Sequence, residues 1–118
     1  MSLYLLDTNM VSFTLWGVSP AARARLAKLS PYDVVSISAV TEGELLFGLA
    51  KSPNERRQRA LQQYLSPFVI YPWGREAAAA YGDLRARQER LGKKLGPYDM
   101  QIAAHALALK ATLVSHDK

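Results

Sequence analysis

Four short apolar runs punctuate the chain: Leu3-Tyr4-Leu5-Leu6, Val34-Val35-Ser36-Ile37, Phe68-Val69-Ile70-Tyr71 and Thr112-Leu113-Val114-Ser115. None shows the apolar–polar alternation of a half-exposed strand. Continuous runs of this kind are expected of strands buried on both faces of a parallel sheet. The stretches between them read as helices. Asp7-Thr8-Asn9 can open one that runs through Trp16, and Pro20 suits the first turn of another, from a Ser19 cap to Lys28. Ser38 can cap a helix through Lys51, and Asn54 one through Leu65 before Ser66-Pro67. From Arg75 to Leu91, Ala77, Tyr81, Leu84 and Leu91 recur at helical spacing, with Gly92 as the stop. Gly96-Pro97 then opens a last helix from Tyr98 to Lys110.

Strands that alternate with helices of this length imply a parallel sheet covered on both faces, an α/β domain of about four to five strands. At 118 residues the whole chain, 1–118, is read as one domain. In such sheets the ligand site lies beyond the carboxyl ends of the strands. The acidic residues at that edge therefore matter most.

Asp7 directly follows the first strand and Asp117 the last, while Asp99 falls in the first turn of the final helix. Asp7 and Asp99 each have a plain structural role available. Asp7 can be a helix cap, and Asp99 can complement a helix dipole. The helix opened by Ser38 carries Glu42 and Glu44. On a helical wheel Leu45, Leu46, Phe47, Leu49 and Ala50 form a wide apolar arc, with Glu42 inside it and Glu44 at its margin. The wheel does not choose Glu44; it leans to Glu42 as the inward acid or as a first-turn partner of the helix dipole.

Charge sharpens this picture. Fifteen Lys and Arg against ten Asp and Glu give a net charge of +5, a balance that suits an anionic partner such as nucleic acid. Carboxylates gathered at one edge of a basic protein repel one another, and a hard divalent cation with oxygen ligands relieves that repulsion. Mg²⁺ in such a place polarises a phosphodiester and activates water, which is nuclease chemistry. Other chemistries find less support. The absence of cysteine removes disulfides, thiolate nucleophiles and zinc–thiolate sites. His105 reads as a packed or hydrogen-bonded side chain rather than a ligand. No phosphate-binding Gly-rich loop or nucleophile elbow is present, and Asn9 stands where a haloacid-dehalogenase phosphatase needs a second Asp. No apolar run nears the about 18 residues of a membrane span, and the N-terminus lacks a signal-peptide pattern, so a cytoplasmic protein with no membrane partner is expected.

Four segments in order carry a resemblance. Leu6-Asp7-Thr8-Asn9, Glu44-Leu45-Leu46-Phe47-Gly48, the run from Gly96-Pro97-Tyr98-Asp99 to Ala106, and Thr112 to Asp117 together resemble PIN-domain ribonucleases, specifically VapC toxins of toxin–antitoxin pairs. The resemblance spans nearly the whole chain and implies a three-layer PIN-like fold. It also implies a Mg²⁺- or Mn²⁺-dependent endoribonuclease neutralised by a VapB-type antitoxin, with RNA as substrate. The details of the match lean towards the initiator-tRNA group, and a homodimer is the expected assembly. Carried onto this sequence, the acidic site would be Asp7, Glu44, Asp99 and Asp117, with Asp7 and Asp99 as metal ligands and Thr8 and Asn9 in support. The Glu-Leu-x-x-Gly pattern selects Glu44 where the wheel did not. The family pattern continues past the last motif with a Phe-containing segment and a final strand, whereas this chain stops at Lys118. Asp117 is accordingly expected to be the least firmly held of the four.

Two basic clusters complete the sequence-level picture. Arg56, Arg57 and Arg59 read as a solvated helix face, whereas Arg85, Arg87, Arg90, Lys93 and Lys94 lead towards Asp99. Lys93 and Lys94 are candidate phosphate contacts. The competing functions are a catalytically weak or inactive truncated domain that binds an antitoxin or nucleic acid, and a receiver-like phosphoacceptor with Asp7 on the metal. The second is disfavoured because a receiver needs its phosphorylated Asp on a middle strand and a Lys after a late one.

Overall fold

A computed structural model describes residues 2–17, 19–93 and 95–115. Its elements run β1 Leu3–Leu6, α1 Thr8–Leu15, α2 Pro20–Ala27, β2 Val34–Ser38, α3 Ala39–Lys51, α4 Glu55–Leu65, β3 Val69–Tyr71, α5 Arg75–Arg90, α6 Pro97–Leu109 and β4 Thr112–Val114. All four expected strands and six expected helices form, with ends within a residue or two of those read from the sequence. The four strands make one parallel sheet in the order β3-β2-β1-β4. The α/β expectation holds, with four strands and six flanking helices.

The continuous apolar runs are explained by burial on both faces. Leu5 and Leu6 are neighbours on β1, and both are fully buried, on opposite sides of the sheet. Leu6 joins Met10, Val11, Ala22, Ile37, Leu61 and Leu65 under α1, α2 and α4. Leu5 joins Ile102 and Ala106 of α6. Truncating either leucine to alanine removes a close-packed contact worth about 2–5 kcal/mol. Across α6, α5 forms a further cover.

Capping agrees with the sequence at every side-chain cap expected. Asp7, Ser19, Ser38 and Asn54 each accept a backbone N–H from the first turn of the helix that follows. Gly92 adopts φ 68, a left-handed conformation that glycine enters without a Cβ clash, and it ends α5 as expected.

One sequence expectation is corrected. The apolar arc of α3 does not all face inward: Leu45 and Leu49 pack against the core, whereas Leu46 and Phe47 are 51% and 65% exposed. Two apolar strips, one buried and one on the surface, lie side by side on this helix, and a wheel merges them. The buried strip contains Thr41, so Glu44, three residues on, lies beside it and faces α1.

No helix among the described residues is long and apolar enough to cross a membrane.

Candidate active site

The strand order sets the place where chemistry is expected. From β1 the chain proceeds to β2 and β3 on one side, while β4 returns to the other side of β1. That reversal opens a crevice at the carboxyl ends of β1 and β4, where ligands bind in open α/β sheets. Asp7 N–H donates to Val114 O at 3.0 Å, fixing the end of β1 against β4. A cavity of about 230 Å³ opens there, lined by Asp7, Asn9, Leu95, Asp99, Ile102, Ala103, Leu113 and Ser115.

Asp7 serves two structures at once. Its Oδ1 accepts Met10 N–H at 2.7 Å and so starts α1, and its carboxylate also faces the cavity. The helix-cap reading is therefore borne out, and the same residue lines the cavity at the strand ends. Asp99 reaches the cavity from the first turn of α6, whose N-cap is Gly96. Gly96 approaches Asp99 closely: a Cβ placed there would lie 3.3 Å from Asp99 Oδ2.

Glu44 stands on the neighbouring side of α1. It lines a groove of about 300 Å³ with Thr8, Trp16, Gly48 and Arg57. Thr8 Oγ1 donates to Glu44 Oε1 at 2.7 Å and lies 3.2 Å from Thr41 Oγ1. A hydroxyl has one proton, and the shorter contact to the carboxylate takes it. The fully buried Thr41 can then give its own proton to Thr8, so that a chain of two hydroxyls ends on Glu44. Arg57 lies over the Trp16 ring at 4.8 Å, leaving this groove with one cation and one carboxylate.

The start of α3 is tied to α6. His105 is 2% exposed, and its Nδ1 lies 2.8 Å from Ser38 Oγ, the same oxygen that caps α3 by accepting Val40 N–H. Burial pushes the His105 pKa below its ordinary value. A hydrogen bond to the Pro72 backbone, which has only a carbonyl to offer, pulls the other way. His105 is thus the packed, hydrogen-bonded side chain its sequence context implied.

The profile of the PIN domain matches residues 4–118. The chain belongs to the PIN-domain family. Within it the chain is of the VapC type: ribonuclease VapC2 of Rickettsia felis is 32% identical over 116 residues, which cover 98% of this chain and 87% of that protein. The tRNA(fMet)-specific endonuclease VapC of Shigella flexneri is 31% identical over 118 residues, 99% of this chain and 88% of that protein. Among solved structures, VapBC2 of Rickettsia felis bound to a DNA fragment from their promoter superposes with a TM-score of 0.89 at 31% identity, covering 98% of this chain and 87% of that one.

In this PIN domain the residues singled out from sequence fall into three groups. Asp7, Asn9 and Asp99 share the cavity at the switch point. Thr8 and Glu44 share the adjoining groove. Lys93 lines a third hollow, a groove between α5 and α6 that shares Leu95 with the cavity. Lys94 and Asp117 lie outside the described residues. Among the described residues no group of three or more His, Cys, Asp or Glu forms a metal site. The donors of the Asp7–Asp99 cavity are two carboxylates, an amide and a hydroxyl. Such an all-oxygen set fits Mg²⁺, which takes one or two protein carboxylates and fills its shell with water and phosphate.

Sequence reasoning passed over Thr41, Ser115 and Leu95. Thr41 carried a signal, since it stands three residues before Glu44 and so shares its helix face. Ser115 and Leu95 carried none; each is at the site because of how the backbone leaves β4 and enters α6.

Proposed function

We propose that this PIN domain is a metal-dependent endoribonuclease of the VapC toxin kind, held in check by a VapB-type antitoxin. The observation that carries the reading is the pairing of Asp7 and Asp99 in one cavity at the switch point of a parallel sheet. A Mg²⁺ or Mn²⁺ held by these two carboxylates would supply positive charge to a scissile phosphodiester and acidify an attacking water. The chain's own contribution is placement. Asp7 is locked by its cap to Met10 N–H, Asn9 adds an amide, and Ile102, Ala103 and Leu113 form apolar walls that leave few polar groups to compete. Asp117 is proposed as a further acidic member from its place in the sequence shortly after Ser115.

The partners are proposed from the relatives. One similar protein is a tRNA(fMet)-specific endonuclease, which favours a tRNA as substrate, and similar structures were solved as VapBC complexes, which favours the antitoxin. A homodimer is the proposed assembly. The net charge of +5 suits a polyanionic substrate.

The test is incubation of purified protein with tRNA and with other RNAs in Mg²⁺. Cleavage is expected, lost on adding chelator, restored by excess Mg²⁺ or Mn²⁺, and suppressed by a small antitoxin encoded beside the gene. RNA left intact under all these conditions, or cleavage indifferent to chelator, would overturn the reading.

A further inference from the structure

The groove between α5 and the start of α6 has no part in the carboxylate chemistry. It measures about 290 Å³, and Tyr81, Arg85, Glu89, Lys93, Leu95 and Met100 are among its walls. Leu95 also lines the Asp7–Asp99 cavity, so the two hollows meet at that side chain. The first turn of α6 divides them: Pro97 and Met100 border the groove, and Asp99 borders the cavity.

Its side chains are held in place by the backbone and by one another. Gly92 in its left-handed conformation lets Gly92 N–H donate to Glu89 O at 3.1 Å and Lys93 N–H to Gln88 O at 2.9 Å. This double closure of the helix end delivers Lys93 to the groove. The Tyr81 ring meets Trp73 edge to face with centroids 6.0 Å apart, and Trp73 Nε1 donates to Gln101 O at 3.0 Å. The aromatic wall is therefore preset. Arg85 donates to Glu89 Oε1 at 3.2 Å and to the Tyr81 hydroxyl at 3.3 Å. Both ends of the Arg85–Glu89 pair are exposed, and exposed pairs are weak enough to exchange for a phosphate.

An RNA strand with its scissile phosphate at Asp7 and Asp99 must lay its neighbouring nucleotides in an adjoining hollow. Two cations beside a fixed aromatic ring are what an unpaired strand requires, since phosphates take the charges and a base takes the ring. We propose that the α5–α6 groove, through Arg85, Lys93 and Tyr81, binds the single-stranded RNA segment adjacent to the phosphodiester that enters the Asp7–Asp99 cavity. This inference rests on the ribonuclease reading and adds to it the site of the flanking nucleotides. Glu89 sets the limit on affinity, because its charge opposes the phosphates and occupies Arg85.

The experiment follows the anisotropy of a short, unstructured, fluorescently labelled RNA, with Asp99→Asn as a non-cleaving parent. Adding Arg85→Gln and Lys93→Gln should weaken binding about tenfold and flatten the slope of log affinity against log salt by about 1.4, the loss of two phosphate contacts on a single strand. Glu89→Gln should act in the opposite direction and tighten binding. Arg56→Gln with Arg59→Gln, on exposed positions of α4, should change neither quantity. All these side chains are exposed, so thermal melts should match the parent's. If the parent binds RNA and the wild type cleaves it, yet the Arg85 and Lys93 changes leave affinity and salt slope intact, the groove assignment is overturned and the ribonuclease reading stands. RNA neither bound by the parent nor cleaved by the wild type would sink both.

Discussion

Asp7 faces the cavity that holds Asp99, whereas Thr8, the next residue, faces the groove that holds Glu44. The two hollows lie on either side of the first turn of α1 and differ in how their carboxylates are occupied. Glu44 Oε1 already accepts a hydrogen bond from the Thr8 hydroxyl, which is itself backed by Thr41, and Arg57 supplies a cation in the same groove. Asp99 is exposed and accepts no hydrogen bond from the described residues. A carboxylate already satisfied is placed to tune its surroundings; one that waits on the solvent side is placed to take a ligand. On the proposed metal-dependent reading, the difference favours direct metal contact through Asp99, beside Asp7, and a supporting role for the Thr8–Glu44 side.

The largest effects are expected on the cavity side. Asp99→Asn and Asp7→Asn should each lower RNA cleavage by at least about a hundredfold, the scale on which removing one group that stabilises developing charge acts. Asparagine is as good a helix cap as aspartate, so Asp7→Asn keeps the bond to Met10 N–H and leaves α1 intact. Its melting temperature should equal or exceed the wild type's, because a repelling charge is gone. On the groove side, Glu44→Gln retains an oxygen for Thr8, and Thr8→Val removes the donor. Each should cost about tenfold in activity or metal affinity, as supporting groups around a metal do. Should Glu44→Gln match Asp99→Asn in both activity and metal dependence, the two hollows would have to be one site.

How much of this was open to view from the residues follows the range of the forces involved. Strands and caps are local: Leu5 and Leu6 declare two-sided burial by being adjacent and apolar, and Ser38 declares a cap by preceding a helical run. Asp7 and Asp99 were located because a strand end and a helix start are themselves local features. Glu44 was not separable from Glu42 by periodicity, because α3 bears a second apolar strip on its exposed side, at Leu46 and Phe47. The family resemblance points to Glu44, and in the structure it is Glu44 that takes the Thr8 hydrogen bond. Ser115 and Leu95 depend on which elements meet in space, and no local pattern encodes that, whereas Thr41 was legible only as a neighbour of Glu44 on one helix face.

The link between the two sides offers a smaller effect, read in stability. Ser38 Oγ caps α3, which carries Glu44, and contacts His105 on α6, which carries Asp99. Ser38→Ala should lose the cap and strand a buried imidazole nitrogen, at a cost of about 1–3 kcal/mol. The same contact gives a pH dependence. The His105 pKa is lowered in the folded protein, so on acidification the unfolded chain takes up a proton that the folded one resists. Stability from this group is full above the ordinary histidine value of 6.5 and falls as pH drops through it towards the folded value. Melting temperatures measured from pH 7.5 down to 5 should decline, and His105→Gln should flatten the part of the decline that begins near 6.5. An unchanged profile in that variant would assign the acid sensitivity to the carboxylates instead.

The smallest effect isolates the geometry of one carboxylate. Gly96 is the N-cap of α6 with φ −60 and ψ 152, angles open to any residue, so its lack of a side chain is not a conformational need. What an added Cβ meets is Asp99 Oδ2, at 3.3 Å. The carboxylate is the flexible partner and would yield by a few tenths of an ångström. Gly96→Ala should therefore lower the melting temperature by no more than about 5 °C, since exchanging alanine for glycine at an N-cap costs about 1 kcal/mol or less. Misplacing a reacting group by a full ångström costs about a hundredfold in rate, so this smaller shift should lower cleavage by roughly two- to tenfold. The loss should appear together with a higher Mg²⁺ requirement, because the displaced group is a proposed ligand. A Mg²⁺ titration of cleavage by the two proteins decides it. Coincident curves would mean that Asp99 can move without consequence, and the contrast between a ligating cavity and a supporting groove would lose its footing at that residue.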